Sequence, residues 1–331
     1  RPRHRDRLNW PSIRSITLLL YSPPKTSSVP VIDIAPSFSP SERARGGVVE
    51  EIHKACRDTG FFYIANHGFS RDLIARTFEG SREFFALPVE QKRALTMVRG
   101  EARGYEQAEF QVLDDGSPAD LKESFQCAQD VSDDVKGNRW PPALPGFRQT
   151  MLAYHAELRG LAAHVASLIA TSLDMPADFF VEGFRTANPT LRALRYTPQP
   201  DHAAFNQLGA GAHTDWGGIT LLAQDDAGGL EVRTAQGDWL RAEPVADTFV
   251  VNLGDLMQRW TNDLYRSTLH RVMNNTSGRD RYSLAFFYSP SFHTRVECLP
   301  TCVPSGSAPN YQPCTAGEHI HQRRLTTYGV A

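Results

Sequence analysis

Apolar and polar positions repeat with two different periods along this chain, and the period changes part-way. In the first half apolar residues recur three and four apart, the helical pattern. Val48, Val49, Ile52 and Cys56 predict a helix over 39–58, with Ser41 as its N-cap and Gly60 beyond its end. Leu73, Ile74, Phe78, Phe84 and Phe85 predict a second over 70–87, and 88–92 a further helical turn. The longest predicted helix covers 147–173, striped by Leu152, Leu158, Leu161, Val165, Leu168 and Ile169. Short strands at 29–34, 61–65 and 120–125 interrupt these helices, and Asn66, His67 and Gly68 form the turn after the second. Residues 100–111 read as loop and short strand, and 132–146 as a surface connection.

From Leu191 onward the texture becomes one of short strands, predicted at 191–197, 219–224, 230–233, 239–242, 248–253, 267–272 and 281–288. Gly228-Gly229, Gly237, Gly254-Asp255, Asn274-Asn275 and Gly278 punctuate them. Strands at this spacing argue for a sandwich or barrel rather than alternating strand–helix units. The predicted fold class is therefore α+β with a mainly β core. One domain is expected over 29–331: an N-terminal region to about 130, the long helix within 147–175, a β core over 190–295 carrying the site, and a C-terminal cover over 296–331. Residues 1–28 are expected to be a disordered extension; their Arg- and Ser-rich, acid-poor composition leaves a transit peptide as the alternative.

Composition narrows the function classes. The formal net charge of −2 over 331 residues gives no global basic field, so nucleic acid and anionic membranes are not expected partners. No apolar run approaches the roughly 20 residues of a membrane span. Five cysteines read as reduced thiols of a cytoplasmic, monomeric protein. Cys298, Cys302 and Cys314 lie close in sequence, and a zinc clip there is an alternative, although their spacing fits no standard zinc motif. His67, His155 and His164 are expected to be structural, and His319 and His321 to lie on the surface of a C-terminal helix.

The candidate chemistry centres on His213 and Asp215, two apart in a glycine-rich stretch that ends at Gly218. On an extended strand such residues share a face. His270 follows on a later strand. One row of the last predicted strand reads Arg281, Ser283, Ala285, Phe287, the other Tyr282, Leu284, Phe286. A charged Arg on an apolar strand calls for an anion, and a planar fork suits a carboxylate. Two His and one carboxylate form the facial triad of non-haem Fe(II) oxygenases, while the same set also occurs in hydrolytic zinc sites.

His213-x-Asp215, then His270, then Arg281-x-Ser283 resembles the Fe(II)/2-oxoglutarate-dependent dioxygenases, in their isopenicillin N synthase-like branch. The resemblance extends to Pro30-Val-Ile-Asp33, Gly60-Phe-Phe62, Asn66-His-Gly68, Asn252-Leu-Gly-Asp255 and Trp260-Thr-Asn262, and so spans about 29–330. It implies a double-stranded β-helix, or distorted jelly roll, with His213, Asp215 and His270 as iron ligands. It also implies that Tyr196, Arg281 and Ser283 bind the far carboxylate of 2-oxoglutarate, a co-substrate consumed with O2 to give succinate and CO2. The product would be an oxidised, most simply hydroxylated, small-molecule substrate. Leu194 departs from plant members, which often carry Asn there. Phe287 either lines the substrate pocket or fills the barrel; Phe205 and Trp216 flank the metal stretch. Three other readings stay open: an iron oxidase of the same fold that does not use 2-oxoglutarate, a zinc hydrolase, and a non-catalytic jelly-roll binding protein.

Overall fold

The computed structural model describes residues 28–97, 103–113, 118–130, 137–187, 189–201, 203–204 and 206–328. The predicted extension, apart from Ser28, and Phe205 lie outside them.

The N-terminal part runs β1 (Val31–Asp33), α1 (Glu42–Asp58), β2 (Phe61–Ala65), α2 (Arg71–Ala86), α3 (Val89–Arg93), β3 (Gly104–Glu106) and β4 (Glu123–Cys127). Both longer helices begin on a serine that takes up a free backbone N–H. Ser41 accepts from Ala44 N at 3.4 Å and Ser70 from Leu73 N at 3.2 Å. Next come α4 (Pro145–Thr171), α5 (Phe179–Phe184), β5 (Thr190–Tyr196), β6 (Ala210–His213), β7 (Ile219–Gln224), β8 (Leu230–Arg233), β9 (Trp239–Arg241) and β10 (Phe249–Leu253). The chain closes with α6 (Asp255–Trp260), β11 (His270–Val272), β12 (Arg281–Tyr288), β13 (Arg295–Val296), β14 (Cys314–Thr315) and α7 (Ala316–Tyr328).

Two sheets carry the site. The larger has the strand order β1-β2-β10-β7-β12-β5-β4-β3, and the smaller β6-β11-β8-β9. Strand alternation divides the larger sheet's side chains between two cores. Phe62, Ile64, Leu221, Val251, Leu284 and Phe286 join the main core with α1, α2 and α4. Phe61, Tyr63, Leu194, Tyr196, Val250 and Ala285 point the other way, toward Leu230, Val232 and Val272 of the smaller sheet. α4 supplies the helical layer because its stripe of Met151, Leu158, Val165 and Ile169 is fully buried. Each such side chain contributes about 1.5–3 kcal/mol by leaving water. A face-to-face pair of sheets with a cavity between them is the double-stranded β-helix that the resemblance implied.

Two expectations need correction. The strand predicted at 267–272 shrinks to His270–Val272. Ser267 N is taken by Gln258 Oε1 at 2.7 Å and Thr268 Oγ1 donates to Thr59 O at 2.7 Å, so these residues are tied to loops instead of a ladder. Gly254-Asp255 is not a simple turn but the start of α6, which is too short to show a period in sequence. α5 went unpredicted for the same reason. Among the described residues no helix is long and apolar enough to cross a membrane.

Candidate active site

His213 ends β6 and His270 begins β11, and the two are cross-strand partners. Their ring centroids therefore lie 4.3 Å apart. Asp215 arrives differently from the strand alternation first inferred. It sits past the end of β6, where its carbonyl accepts the N–H of Asp255 at 2.7 Å. This turn packs backbone against backbone: a Cβ on Gly254 would lie 2.3 Å from the Gly217 carbonyl oxygen, so only glycine fits. The outcome is a group of one carboxylate and two imidazoles whose ligand atoms all lie within 4.8 Å of one another. Among the described residues it is the one such His/Cys/Asp/Glu group, so Cys298, Cys302 and Cys314 form no metal clip there.

The surrounding hydrogen bonds aim these atoms. His213 Nδ1 donates to Gly211 O at 2.7 Å, and His270 Nδ1 to Thr268 O at 3.1 Å. Both Nε2 lone pairs are left for a metal, the arrangement that fixes tautomer and ring orientation. Burial first, then the nearby His270, push the His213 imidazole down to about 3, which keeps it in the neutral, ligating form. Asp215 Oδ2 accepts from Thr220 Oγ1 at 2.5 Å and from Asn252 Nδ2 at 2.6 Å. Its Oδ1 lies 3.9 Å from His270 Nε2. Thr220 and Asn252 were missed in the sequence, yet they face each other across β7 and β10. A polar cross-strand pair inside two apolar strands was the available signal.

Arg281 lies deeper in the same cavity, only 2% exposed. Its Nε donates to Gly228 O at 2.5 Å and its Nη2 to Gln224 Oε1 at 3.4 Å, while Nη1 is 3.5 Å from Ser283 Oγ. The guanidinium also lies over the Tyr196 ring, 4.7 Å from its centroid. Among the described residues no carboxylate pairs with it. A guanidinium taken out of water without an anion is unfavourable unless an anionic ligand completes the site. Arg281, Ser283, Ala285 and Phe287 all line the cavity, as do Leu194 and Tyr196 on the neighbouring strand. Trp216 is half-buried and does not line it.

Two further cations line this cavity that sequence reasoning did not single out, Lys122 and Arg192. Each is matched by an acid, Asp120 and Glu106. Other histidines sort as structural: His155 Nε2 donates to Pro189 O at 2.8 Å, and His164 stacks on Phe38 and bonds Ser37. His321 is exposed, but His319 is not a surface residue. Its side chain is 13% exposed and its Nε2 faces Asp255 Oδ2 at 3.7 Å, because α7 folds back over the metal-site turn. Arg323 of the same helix reaches Asp255 Oδ2 at 3.1 Å and Thr214 Oγ1 at 3.1 Å.

With this geometry in view, comparison with known proteins is decisive. Residues 29–144 match the family model for the N-terminal region of non-haem dioxygenases in morphine synthesis, and residues 187–290 that of the 2OG-Fe(II) oxygenase superfamily. A 2-oxoglutarate-Fe(II) type oxidoreductase, hxnY of Emericella nidulans, is 37% identical, with 91% of each chain covered. The chain belongs to the 2OG-Fe(II) oxygenase superfamily. A homoarginine-6-hydroxylase of Glycine max is 35% identical to this oxygenase over 91% of this chain and 98% of its own. Among solved structures, a full-length Neurospora crassa protein in complex with alpha-KG superposes with a TM-score of 0.85 at 30% identity, covering 92% of this chain and 98% of that one. The protein is thus an Fe(II)- and 2-oxoglutarate-dependent oxygenase, and the reading without 2-oxoglutarate is not favoured.

Proposed function

We propose that His213, Asp215 and His270 hold the iron of this oxygenase, and that Arg281, Ser283 and Tyr196 hold the distal carboxylate of 2-oxoglutarate. The donor set fits Fe(II): two neutral imidazoles with free Nε2 atoms and one carboxylate oxygen supply three ligands and leave positions for exogenous ones. Bound together, iron and 2-oxoglutarate supply oxidative decarboxylation coupled to O2 activation, releasing succinate and CO2.

The chain's own residues do the rest by positioning. Thr220 and Asn252 hold one oxygen of Asp215, so the carboxylate presents the other. The single observation that carries the co-substrate assignment is the buried Arg281, which has no acid partner among the described residues yet shares one cavity with the three ligands. A carboxylate there would turn an unpaired buried charge into a charge-assisted pair. Phe61, Leu222 and Val272 keep the walls apolar, which limits water near the reacting groups. Phe287, on the same row as Arg281 and Ser283 but further along β12, is assigned to the substrate side.

The substrate is a small organic molecule, and hydroxylation is the proposed outcome. Support comes from the range of molecules in the names of similar proteins, thymine in another complex of the Neurospora crassa protein and homoarginine in the soybean enzyme. Action as a monomer is part of this proposal. Five free cysteines, three of them buried, suit a reducing, cytoplasmic setting. The test is anaerobic addition of Fe(II) and 2-oxoglutarate, which should produce a weak visible charge-transfer band. An unchanged band in both His213→Ala and Asp215→Ala would overturn the ligand assignment.

A further inference from the structure

Beyond the iron and co-substrate groups, the cavity has a second polar end. It is built on the inward faces of three neighbouring strands. Register places Arg192 opposite Ala285, and Ser124 opposite both Leu194 and Glu106. Arg192 is therefore four residues along the sheet from the rung of Arg281, about 13 Å at strand rise. Here Arg192 Nε donates to Ser124 Oγ at 3.0 Å, and its Nη2 to Gln111 Oε1 at 3.2 Å and to Glu106. Lys122, with a side chain only 3% exposed, pairs with Asp120, whose other oxygen accepts the N–H of Gly211 at 2.8 Å. Gly211 also accepts from His213, so this end is tied to the metal strand.

The hydrogen-bonding capacity of this cluster is lopsided. Lys122 has three N–H donors and its ammonium makes one bond among the described residues, to Asp120. Arg192 has five and its Nη1 makes none among the described residues. The acids are engaged on the oxygens that face these cations. Spare N–H groups thus border the cavity, while the charges cancel in pairs: Lys122 against Asp120, Arg192 against Glu106. A carboxylate bound here would add an unbalanced charge to a buried, neutral cluster. A cation would meet donors. An uncharged oxygen acceptor takes up the spare N–H groups without either penalty. Around it Leu113, Leu194 and Phe287 offer apolar contact.

We propose that Lys122 and Arg192 form the subsite that anchors the substrate, and that it takes an uncharged small molecule bearing a carbonyl-type acceptor, with its hydrocarbon part against Phe287. This deepens the oxygenase reading above and rests on it. Binding of 2-pyridone, 2-piperidone, benzoate and benzamidine is measured by calorimetry on the anaerobic protein, with and without Fe(II) and 2-oxoglutarate. The two neutral carbonyl probes should bind most tightly. Their affinity should fall at least tenfold in Arg192→Met/Glu106→Gln and in Lys122→Met/Asp120→Asn, with 2-oxoglutarate affinity unchanged. Each variant removes a cation with its acid, so no buried charge is left alone; if either fails to fold, Arg192→Lys should give the same loss by withdrawing the Nη1 donors. Preference for benzoate or benzamidine, no probe binding at all, or carbonyl affinity unchanged in the variants overturns the proposal. Loss of 2-oxoglutarate binding in the unaltered protein would instead strike the co-substrate assignment, and the probe preference without co-substrate then decides the subsite.

Discussion

The two ends of the cavity are built on opposite electrostatic plans. At the Arg281 end a buried guanidinium has carbonyl, amide and hydroxyl neighbours but no acid among the described residues. At the Arg192 end every cation has its own carboxylate. An incomplete charge set implies a charged ligand that completes it; a complete set implies a ligand chosen by hydrogen bonds and shape. β5 sharpens the contrast by carrying a third arginine on its other face. Arg195 there bonds Glu123 Oε1 at 2.8 Å and Asp280 Oδ2 at 2.7 Å, while Lys92 and Tyr105 complete Glu123. That network lies under α2 and α3, away from the cavity, and serves stability.

The comparison can be broken most severely at the metal group. His270→Ala should abolish the charge-transfer band and turnover, because two remaining ligands do not make a facial set; far-UV circular dichroism should stay native. Arg281→Ala comes next. Pairing of a buried charge is worth about 3–5 kcal/mol when one partner is removed, so 2-oxoglutarate affinity should fall about 150- to 4000-fold. Unlike Arg281, Arg195 already has its anions in the free protein. Arg195→Met should therefore lower stability in urea by about 1.5–3 kcal/mol while leaving 2-oxoglutarate affinity unaltered. If Arg195→Met instead weakened co-substrate binding, the division between the two faces of β5 would not hold. A smaller effect is expected from Asn252→Ala, which removes one of two donors to Asp215. Iron affinity should drop by about tenfold, the low end for a group that orients a ligand, as read by competition with a chelator.

How much of this was legible in the sequence depended on whether a signal was local. The row Arg281, Ser283, Ala285, Phe287 was legible because a strand's alternation is written in consecutive residues, and a lone charge on an apolar strand stands out. His213 and His270 were legible by type and order. The route of Asp215 was not, since its position follows from Gly254 and Gly217 meeting across a turn. Alternation puts Arg192 on the same inward face as Tyr196, but its pairing with Glu106 was not legible, because strands from distant segments bring the two together. Lys122 and Asp120, two apart, look like ordinary surface charges until the fold buries them. His319 misled because charge and spacing on α7 suggested solvent, whereas the helix folds back onto Asp255.

One wall of the metal site comes from an early part of the chain, and this has a consequence for how the molecule folds. Phe61 packs edge-on against His270, with ring centroids 5.2 Å apart, and its strand is held in the sheet by pairing Ile64 with Phe249. Closing a loop of that length must precede the reward of the contacts it allows. Such non-local topology makes folding slow and leaves β2 with an open edge meanwhile. The pocket wall at Phe61 is therefore expected to form only once β2 meets β10, and the hydrophobic run at Phe61 and Phe62 is open to pairing with another chain until then.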